Sequence, residues 1–227
     1  MRKGGIMKKE EILAHVDHTL LRVDATEEEI CLVTEDAAHY RTASVCVPPL
    51  YVKAAARTAA GRVPVCTVIG FPNGYSTTAV KVAEATEAIA DGASEIDMVI
   101  AVGMVKSGDY HKVFDDIAAL RKATAGKILK VIIETCLLTD AEKIRMAGIV
   151  SEAGADYIKT STGFAGCGAT LHDVELLARH VSGNTRVKAA GGIGSLADAE
   201  AMLKAGADRL GTSRIVDIIK KEERNGI

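Results

Sequence analysis

Three segments of the chain share one short pattern, and its spacing restricts the fold more than any other feature. Asp91-Gly92-Ala93-Ser94-Glu95-Ile96-Asp97, Ala153-Gly154-Ala155-Asp156-Tyr157-Ile158-Lys159 and Ala205-Gly206-Ala207-Asp208-Arg209-Leu210-Gly211 each run small, Gly, Ala, two variable positions, apolar, variable. A glycine closing a helical stretch supplies a left-handed C-cap, and the residues after it enter a strand. The recurrence therefore marks repeated helix-to-strand junctions. Five residues beyond each glycine, Asp97, Lys159 and Gly211 fall at equivalent strand positions.

The rest of the chain extends this rhythm to eight units. Strand patterns cover roughly 16–20, 43–47, 64–70, 95–101, 128–135, 157–161, 186–190 and 209–211, and an additional helix over 8–15 precedes them. The clearest helix patterns between and after them are 27–40, 77–90, 110–123, 141–153, 171–180, 197–205 and 215–222. No linker or low-complexity tract divides them, so residues 1–227 are expected to form a single α/β domain, with 1–7 as a flexible extension. Eight βα units imply a closed (β/α)8 TIM barrel with an extra N-terminal helix. The alternative, a doubly wound open sheet, usually carries a glycine-rich nucleotide loop after its first strand, and Leu21-Arg22-Val23-Asp24 has no glycine.

In such a barrel, alternate strands fill one interior layer, so Asp97 and Lys159 are expected to meet inside, with Gly211 leaving space beside them. Strand seven adds Lys188 next to strand six. Two lysines in an apolar interior disfavour each other's protonation, and desolvation acts in the same direction on both. A neutral amine attacks a carbonyl to form a Schiff base, and a nearby carboxylate moves the protons. A structural ion pair with a spare lysine is the bland alternative. Ser161-Thr162-Gly163, Gly191-Gly192-Ile193-Gly194-Ser195 and Gly211-Thr212-Ser213 follow strands six to eight, where barrels of this kind bind phosphate on backbone N–H groups. Tight turns with Ser195 and Ser213 as N-caps would account for the same residues.

Composition removes other classes of function. The 28 Lys and Arg against 30 Asp and Glu, with five Tyr, three Phe and no Trp, offer no basic or stacking surface, so no nucleic acid partner is expected. Apolar runs such as 99–102 and 131–133 are strand-sized, so no membrane partner is expected either, and without a signal-peptide core the protein is expected to be cytoplasmic. Five cysteines without a C-x-x-C pair suggest reduced thiols, and six histidines without ligand spacing show no metal site.

The contexts Tyr157-Ile158-Lys159-Thr160-Ser161-Thr162-Gly163-Phe164, Val187-Lys188-Ala189-Ala190-Gly191-Gly192-Ile193 and Glu95-Ile96-Asp97-Met98-Val99 closely resemble the deoxyribose-phosphate aldolase family. Asp17-His18-Thr19-Leu20-Leu21, Ser44-Val45-Cys46-Val47, Gly70-Phe71-Pro72-Asn73-Gly74 and 130–135 extend the resemblance over essentially the whole chain. It implies a class I aldolase of deoxyribonucleotide and carbohydrate catabolism, with no cofactor and no metal. The implied substrate is a phosphosugar, 2-deoxy-D-ribose 5-phosphate, cleaved reversibly to D-glyceraldehyde 3-phosphate and acetaldehyde. Carried over, Lys159 is the Schiff-base lysine, Asp97 a proton donor and acceptor, and Lys188 the cation favouring the free amine of Lys159. Thr162, Gly163, Gly191, Gly192 and Ser213 match substrate or phosphate positions, and Asp17 and Cys46 match pocket-lining ones. A homo-oligomer, dimer or tetramer, is left open.

The chain departs from some members at three places. Phe164 stands where they have a lysine, Arg214 where they have a second serine, and the end is Asn225-Gly226-Ile227 rather than a tyrosine. Arg214 would then supply the positive charge missing at Phe164. Lys130 and Glu134 share strand parity and are expected to face inward as a pair, His18 to be a satisfied buried histidine, and Cys167 to be a bystander thiol. Another phosphosugar reaction, such as isomerisation or transaldol transfer, and a non-catalytic sugar-phosphate binder are the rival readings.

Overall fold

The computed structural model describes residues 7–225. Of the extension expected over 1–7, residues 1–6 lie outside the described residues. Met7 is not free: its backbone N–H donates to Glu200 at 3.2 Å, and its side chain packs on the core.

Eight parallel strands form the barrel: β1 (Val16–Thr19), β2 (Ser44–Val47), β3 (Val65–Ile69), β4 (Glu95–Val99), β5 (Ile128–Ile132), β6 (Tyr157–Lys159), β7 (Arg186–Ala190) and β8 (Arg209–Thr212). Each pairs with the next and β8 pairs with β1, which closes the sheet and leaves no free edge. The additional helix α1 (Lys9–Leu13) comes first. Around the barrel lie α2 (Glu27–His39), α3 (Val52–Ala59), α4 (Thr78–Ala90), α5 (Val102–Lys106), α6 (Tyr110–Ala123), α7 (Asp140–Glu152), α8 (Leu171–His180), α9 (Leu196–Lys204) and α10 (Ile215–Arg224). Among the described residues, no helix is long and apolar enough to cross a membrane.

Local chemistry accounts for the junctions. Thr26 and Glu29 at the start of α2, and Thr139 and Glu142 at the start of α7, form reciprocal capping boxes that satisfy otherwise orphaned N–H groups. Gly92 and Gly206 sit at φ +114° and +112°, and a Cβ on either would lie 2.7 Å from an alanine methyl, Ala56 or Ala178. At these two junctions glycine is required by both backbone and packing, whereas at Gly154, φ +75°, the backbone alone calls for it.

Strands four to six end earlier than their apolar patterns suggest. Ile100 and Ile133 are fully buried and lie just past the strand ends, each donating a last N–H bond to the neighbouring strand, to the Ile132 and Lys159 carbonyls, both at 3.1 Å. Burial outlasts pairing, and the sequence records only burial.

Parity and contacts resolve the barrel interior into three layers of four. Ser44, Glu95, Tyr157 and Arg209 form the lowest, Asp17, Cys66, Lys130 and Lys188 the middle, and Cys46, Asp97, Lys159 and Gly211 the uppermost. Most apolar residues of the strands point outward into the helical shell, where the main core sits, while Val68 packs inward with Cys46 and Cys66.

Among the described residues, two charged pairs are buried in the helical shell, Lys81–Asp116 and Lys143–Asp173. Lys81 of α4 is fully buried and donates to Asp116 of α6 at 2.6 Å and to the Val99 carbonyl at 2.9 Å. Asp116→Ala leaves the ammonium without its counter-charge, and the expected loss of unfolding free energy is about 3–5 kcal/mol. Urea denaturation measures it; a negligible loss would contradict the pairing.

Candidate active site

The two upper layers are joined through one carboxylate. Asp97 Oδ2 accepts from Lys159 Nζ at 2.8 Å and from Lys188 Nζ at 2.7 Å, while Oδ1 accepts from Lys130 Nζ at 2.8 Å and Cys66 Sγ at 3.2 Å. Lys188 also donates to Asp17 at 2.5 Å, and Asp17 accepts from Ser44 at 2.7 Å and Arg209 at 2.6 Å. Lys130 reaches Glu95 at 2.6 Å, and Arg209 approaches Glu95 at 3.3 Å. Four cations and three carboxylates thus form one connected buried network, with a positive charge in excess if all are ionised.

Burial opposes ionisation of Asp97, but the Lys130, Lys159 and Lys188 ammoniums outweigh it and hold the carboxyl well below the usual carboxylate range. Asp17 is likewise held low, since Lys188, Lys130 and Arg209 overcome its desolvation. For Lys188 the structure corrects the expectation. Burial does lower its proton affinity, but Asp17 and Asp97 outweigh burial and hold Lys188 well above the ordinary lysine value. The expectation considered two lysines in an apolar interior and omitted the second carboxylate.

Above the network, a cavity of about 640 Å³ opens at the C-terminal strand ends. Lys159, 3% exposed, is the one amine of the network that reaches it; Thr162, Gly163, Gly191, Gly192 and Ser213 line its wall. Asn225 is not among its lining residues, and residues 226–227 lie outside the described residues. Asp97 and Lys188 lie beneath its floor, where Asp97 accepts from Lys159 and Lys188 on the same oxygen. Asp17 and Cys46, expected on the wall, are fully buried and do not line this cavity. Asp17 is consumed by Lys188, Ser44 and Arg209, and Cys46 packs beside Cys66 in the β2–β3 register. The space expected beside Gly211 is there in part: Gly211 lines the cavity with Lys159, while a Cβ on it would meet Ala190 Cβ at 3.0 Å and Lys188 Cε at 3.2 Å.

The loops complete the wall. Ser195 caps α9 by accepting from Asp198 N–H, as the bland reading supposed, but the N-cap of α10 is Arg214, whose side chain makes no capping bond. The guanidinium of Arg214 lies over Gly194 and lines the cavity near Ser213. Phe164 stacks edge-on against Phe71, with ring centroids 5.1 Å apart. Glu134 does not pair with Lys130. It follows the end of β5 at φ +54°, a left-handed turn that directs its carboxylate to Thr162 N–H at 3.2 Å and Thr162 Oγ1 at 2.5 Å.

Four network residues were not recognised as such from the sequence: Lys130, Glu95, Arg209 and Cys66. Their donors converge in two groups with metal-like spacing, Cys46–Cys66–Asp97 and Asp17–Cys66–Glu95. Lys130 Nζ already stands among them, 3.2 Å from Cys66, 2.8 Å from Asp97 and 2.6 Å from Glu95, so a cation is built in.

A closed (β/α)8 barrel whose cavity at the C-terminal strand ends is floored by amines and carboxylates has the layout of a barrel enzyme. The chain matches the family model for DeoC/LacD family aldolases over residues 12–220, and it belongs to that family. A deoxyribose-phosphate aldolase from Streptococcus pyogenes is 54% identical over 216 residues, 95% of this chain and 97% of the relative. One from Clostridium botulinum is 51% identical over 220 residues, 97% of this chain and 100% of the relative. Among solved structures, a deoxyribose phosphate aldolase from Aeropyrum pernix, described as tetrameric, matches with a TM-score of 0.88 at 32% identity, over 97% of this chain and 94% of that one.

His18 corrects a further expectation. It is buried, but its Nδ1 has no hydrogen-bond partner among the described residues. It points away from the charged interior, toward Asp36 of α2 and Asp217 and Lys220 of α10. Burial pushes its pKa down from 6.5 to about 4, against the pull of Asp217 and Asp36. The unfolded chain takes up this proton near pH 6.5 and the folded chain only near 4, so stability falls by about 3 kcal/mol as pH drops across that window. Asp17 and Asp97 act below it, from about pH 4 downward. Urea midpoints measured from pH 7 to 4 are expected to fall for the native chain and to stay nearly level for His18→Asn; equal slopes would contradict this assignment.

Proposed function

We propose that the chain cleaves 2-deoxy-D-ribose 5-phosphate reversibly to D-glyceraldehyde 3-phosphate and acetaldehyde through a Schiff base on Lys159. One observation carries the reading: Lys159 alone joins the cavity to a buried network that is already short of one negative charge. The three carboxylates are matched by Lys130, Lys188 and Arg209, so the network remains electrically complete with the Lys159 amine neutral. The relatives named above, with similar length and substantial identity, support the choice of substrate.

The reaction follows from the contacts. The neutral Lys159 amine adds to the substrate aldehyde, and loss of water from the carbinolamine leaves an iminium ion. That cation withdraws electrons from the bond to be cleaved. Removal of the C3 hydroxyl proton breaks the C2–C3 bond, releases glyceraldehyde 3-phosphate and leaves an enamine. Protonation of the enamine carbon and hydrolysis then release acetaldehyde and restore the amine. Asp97, hydrogen-bonded to both Lys159 and Lys188, is the group that receives and returns protons, directly or through a water.

The phosphate end rests on Gly191, Gly192 and Ser213, with Arg214 as its cation; Thr162, held by Glu134, and Gly163 orient the sugar. A soluble phosphosugar substrate fits a cytoplasmic enzyme, and the tetrameric Aeropyrum pernix relative makes a homo-oligomer the expected assembly.

An alcohol-dehydrogenase-coupled assay reads acetaldehyde release directly. Lys159→Ala is expected to abolish it while leaving the fold intact, and full activity in that variant would sink the proposal. Turnover of the sugar without acetaldehyde would instead favour isomerisation or transaldol transfer. Removing the neighbouring positive charge in Lys188→Leu is expected to move the pH–rate profile to higher pH, because the reactive form is the unprotonated amine. An unmoved profile would exclude Lys188 as the tuning cation.

A further inference from the structure

Six carboxylate side chains are buried among the described residues: Asp17, Glu95, Asp97, Asp116, Glu134 and Asp173. Five of them have a lysine ammonium between 2.5 and 2.7 Å away: Lys188 for Asp17 and Asp97, Lys130 for Glu95, Lys81 for Asp116 and Lys143 for Asp173. Glu134 is the exception. Among the described residues no basic side chain lies within ion-pairing distance of it, and its carboxylate accepts from Thr162 alone. Oε2 takes Thr162 N–H at 3.2 Å and Thr162 Oγ1 at 2.5 Å, which leaves Oε1 with only a 3.4 Å approach of the same N–H. A carboxylate taken out of water without a counter-charge is costly, and here a left-handed backbone at φ +54° is needed as well to place it.

The space beside Glu134 is open. A side cavity of about 160 Å³ shares Thr162 and Phe164 with the main cavity, and Glu134 lines it together with Asn73, Tyr75, Val102 and Leu137. Two of its wall residues are aromatic. Phe164 is braced edge-on by Phe71, with ring centroids 5.1 Å apart, and the Asn73 amide donates to the Tyr75 hydroxyl at 2.8 Å. A hard metal ion asks for roughly six oxygen ligands. Glu134 belongs to no cluster of acidic, thiol or imidazole donors among the described residues, and most of this wall is apolar. An alkylammonium head asks instead for one counter-charge and for aromatic faces, which is what the wall presents.

We propose that the side cavity binds a small alkylammonium ion, with Glu134 as its counter-charge and Tyr75 and Phe164 as its aromatic walls. The bound cation completes for Glu134 the pairing that the other five buried carboxylates find within the chain. Its contact also bears on the main cavity, because Thr162, the residue Glu134 holds, lines both. Neither Lys159 nor the phosphate wall takes part in holding it.

The probe is choline, whose uncharged carbon analogue, 3,3-dimethylbutan-1-ol, has the same shape. Isothermal titration of the intact protein is expected to show one choline per chain, with the analogue binding about tenfold or more weakly. Glu134→Gln keeps an amide oxygen for Thr162 but removes the charge, and is expected to weaken choline binding by about tenfold or more. Phe164→Leu keeps the wall apolar but removes one ring face, for an expected loss of about threefold. No aldehyde or sugar is present in these titrations, so their outcome does not depend on the aldol reaction proposed above. Absence of choline binding, equal affinity for the carbon analogue, unchanged affinity in Glu134→Gln, or displacement of choline by millimolar potassium ions would each overturn the proposal.

Discussion

Inside the barrel a single carboxylate, Asp97, accepts hydrogen bonds from three ammonium groups and one thiol. Isolated charges in such an interior would neutralise or destabilise the fold. Gathered around Asp97, with Asp17 and Glu95 taking the remaining donors of Lys188, Lys130 and Arg209, they become a rigid polar core that the apolar shell encloses. Removing Asp97 leaves three cations facing one another, so the position serves stability as well as the proposed chemistry.

The same network explains why one lysine differs from the others. Lys188 touches two carboxylates and Lys130 three, and both are held protonated, whereas Lys159 touches only Asp97 and opens upward to the cavity. In the proposed reaction this asymmetry separates the roles: fixed cations below, and one amine free to form and break a covalent bond above. The wall follows the same logic, with glycine backbone and Arg214 at the proposed phosphate end and the Glu134–Thr162 contact fixing the loop beside Lys159.

Much of this was legible in the sequence, because the repeated glycine phrase indexes strands four, six and eight. Five residues past each glycine lie Asp97, Lys159 and Gly211, which do share a layer. Three residues past each lie Glu95, Tyr157 and Arg209, the layer beneath; applying the same count there would have found two further members of the network. The odd strands carry no such phrase, so Lys130 and Cys66 had no index. Lys130 was assigned to Glu134 by parity, and parity fails once β5 ends at Ile132 and the left-handed turn at Glu134 redirects the side chain. The protonation of Lys188 could not be read from apolar neighbours alone, since Asp17 arrives from strand one, 171 residues away. The helices α3 and α5 are short and were not among the clear periodic segments, whereas longer elements such as α6 and α8 kept their expected bounds.

The central claim is that the Lys159 amine forms the covalent link to the substrate carbonyl. Borohydride reduction of the protein in the presence of acetaldehyde, followed by peptide mass spectrometry, tests the chemistry and the residue together. The account predicts one ethyl group added at Lys159 and none at Lys188 or Lys130. A protein that stays unmodified, or one modified at Lys188 with Lys159 untouched, would contradict it.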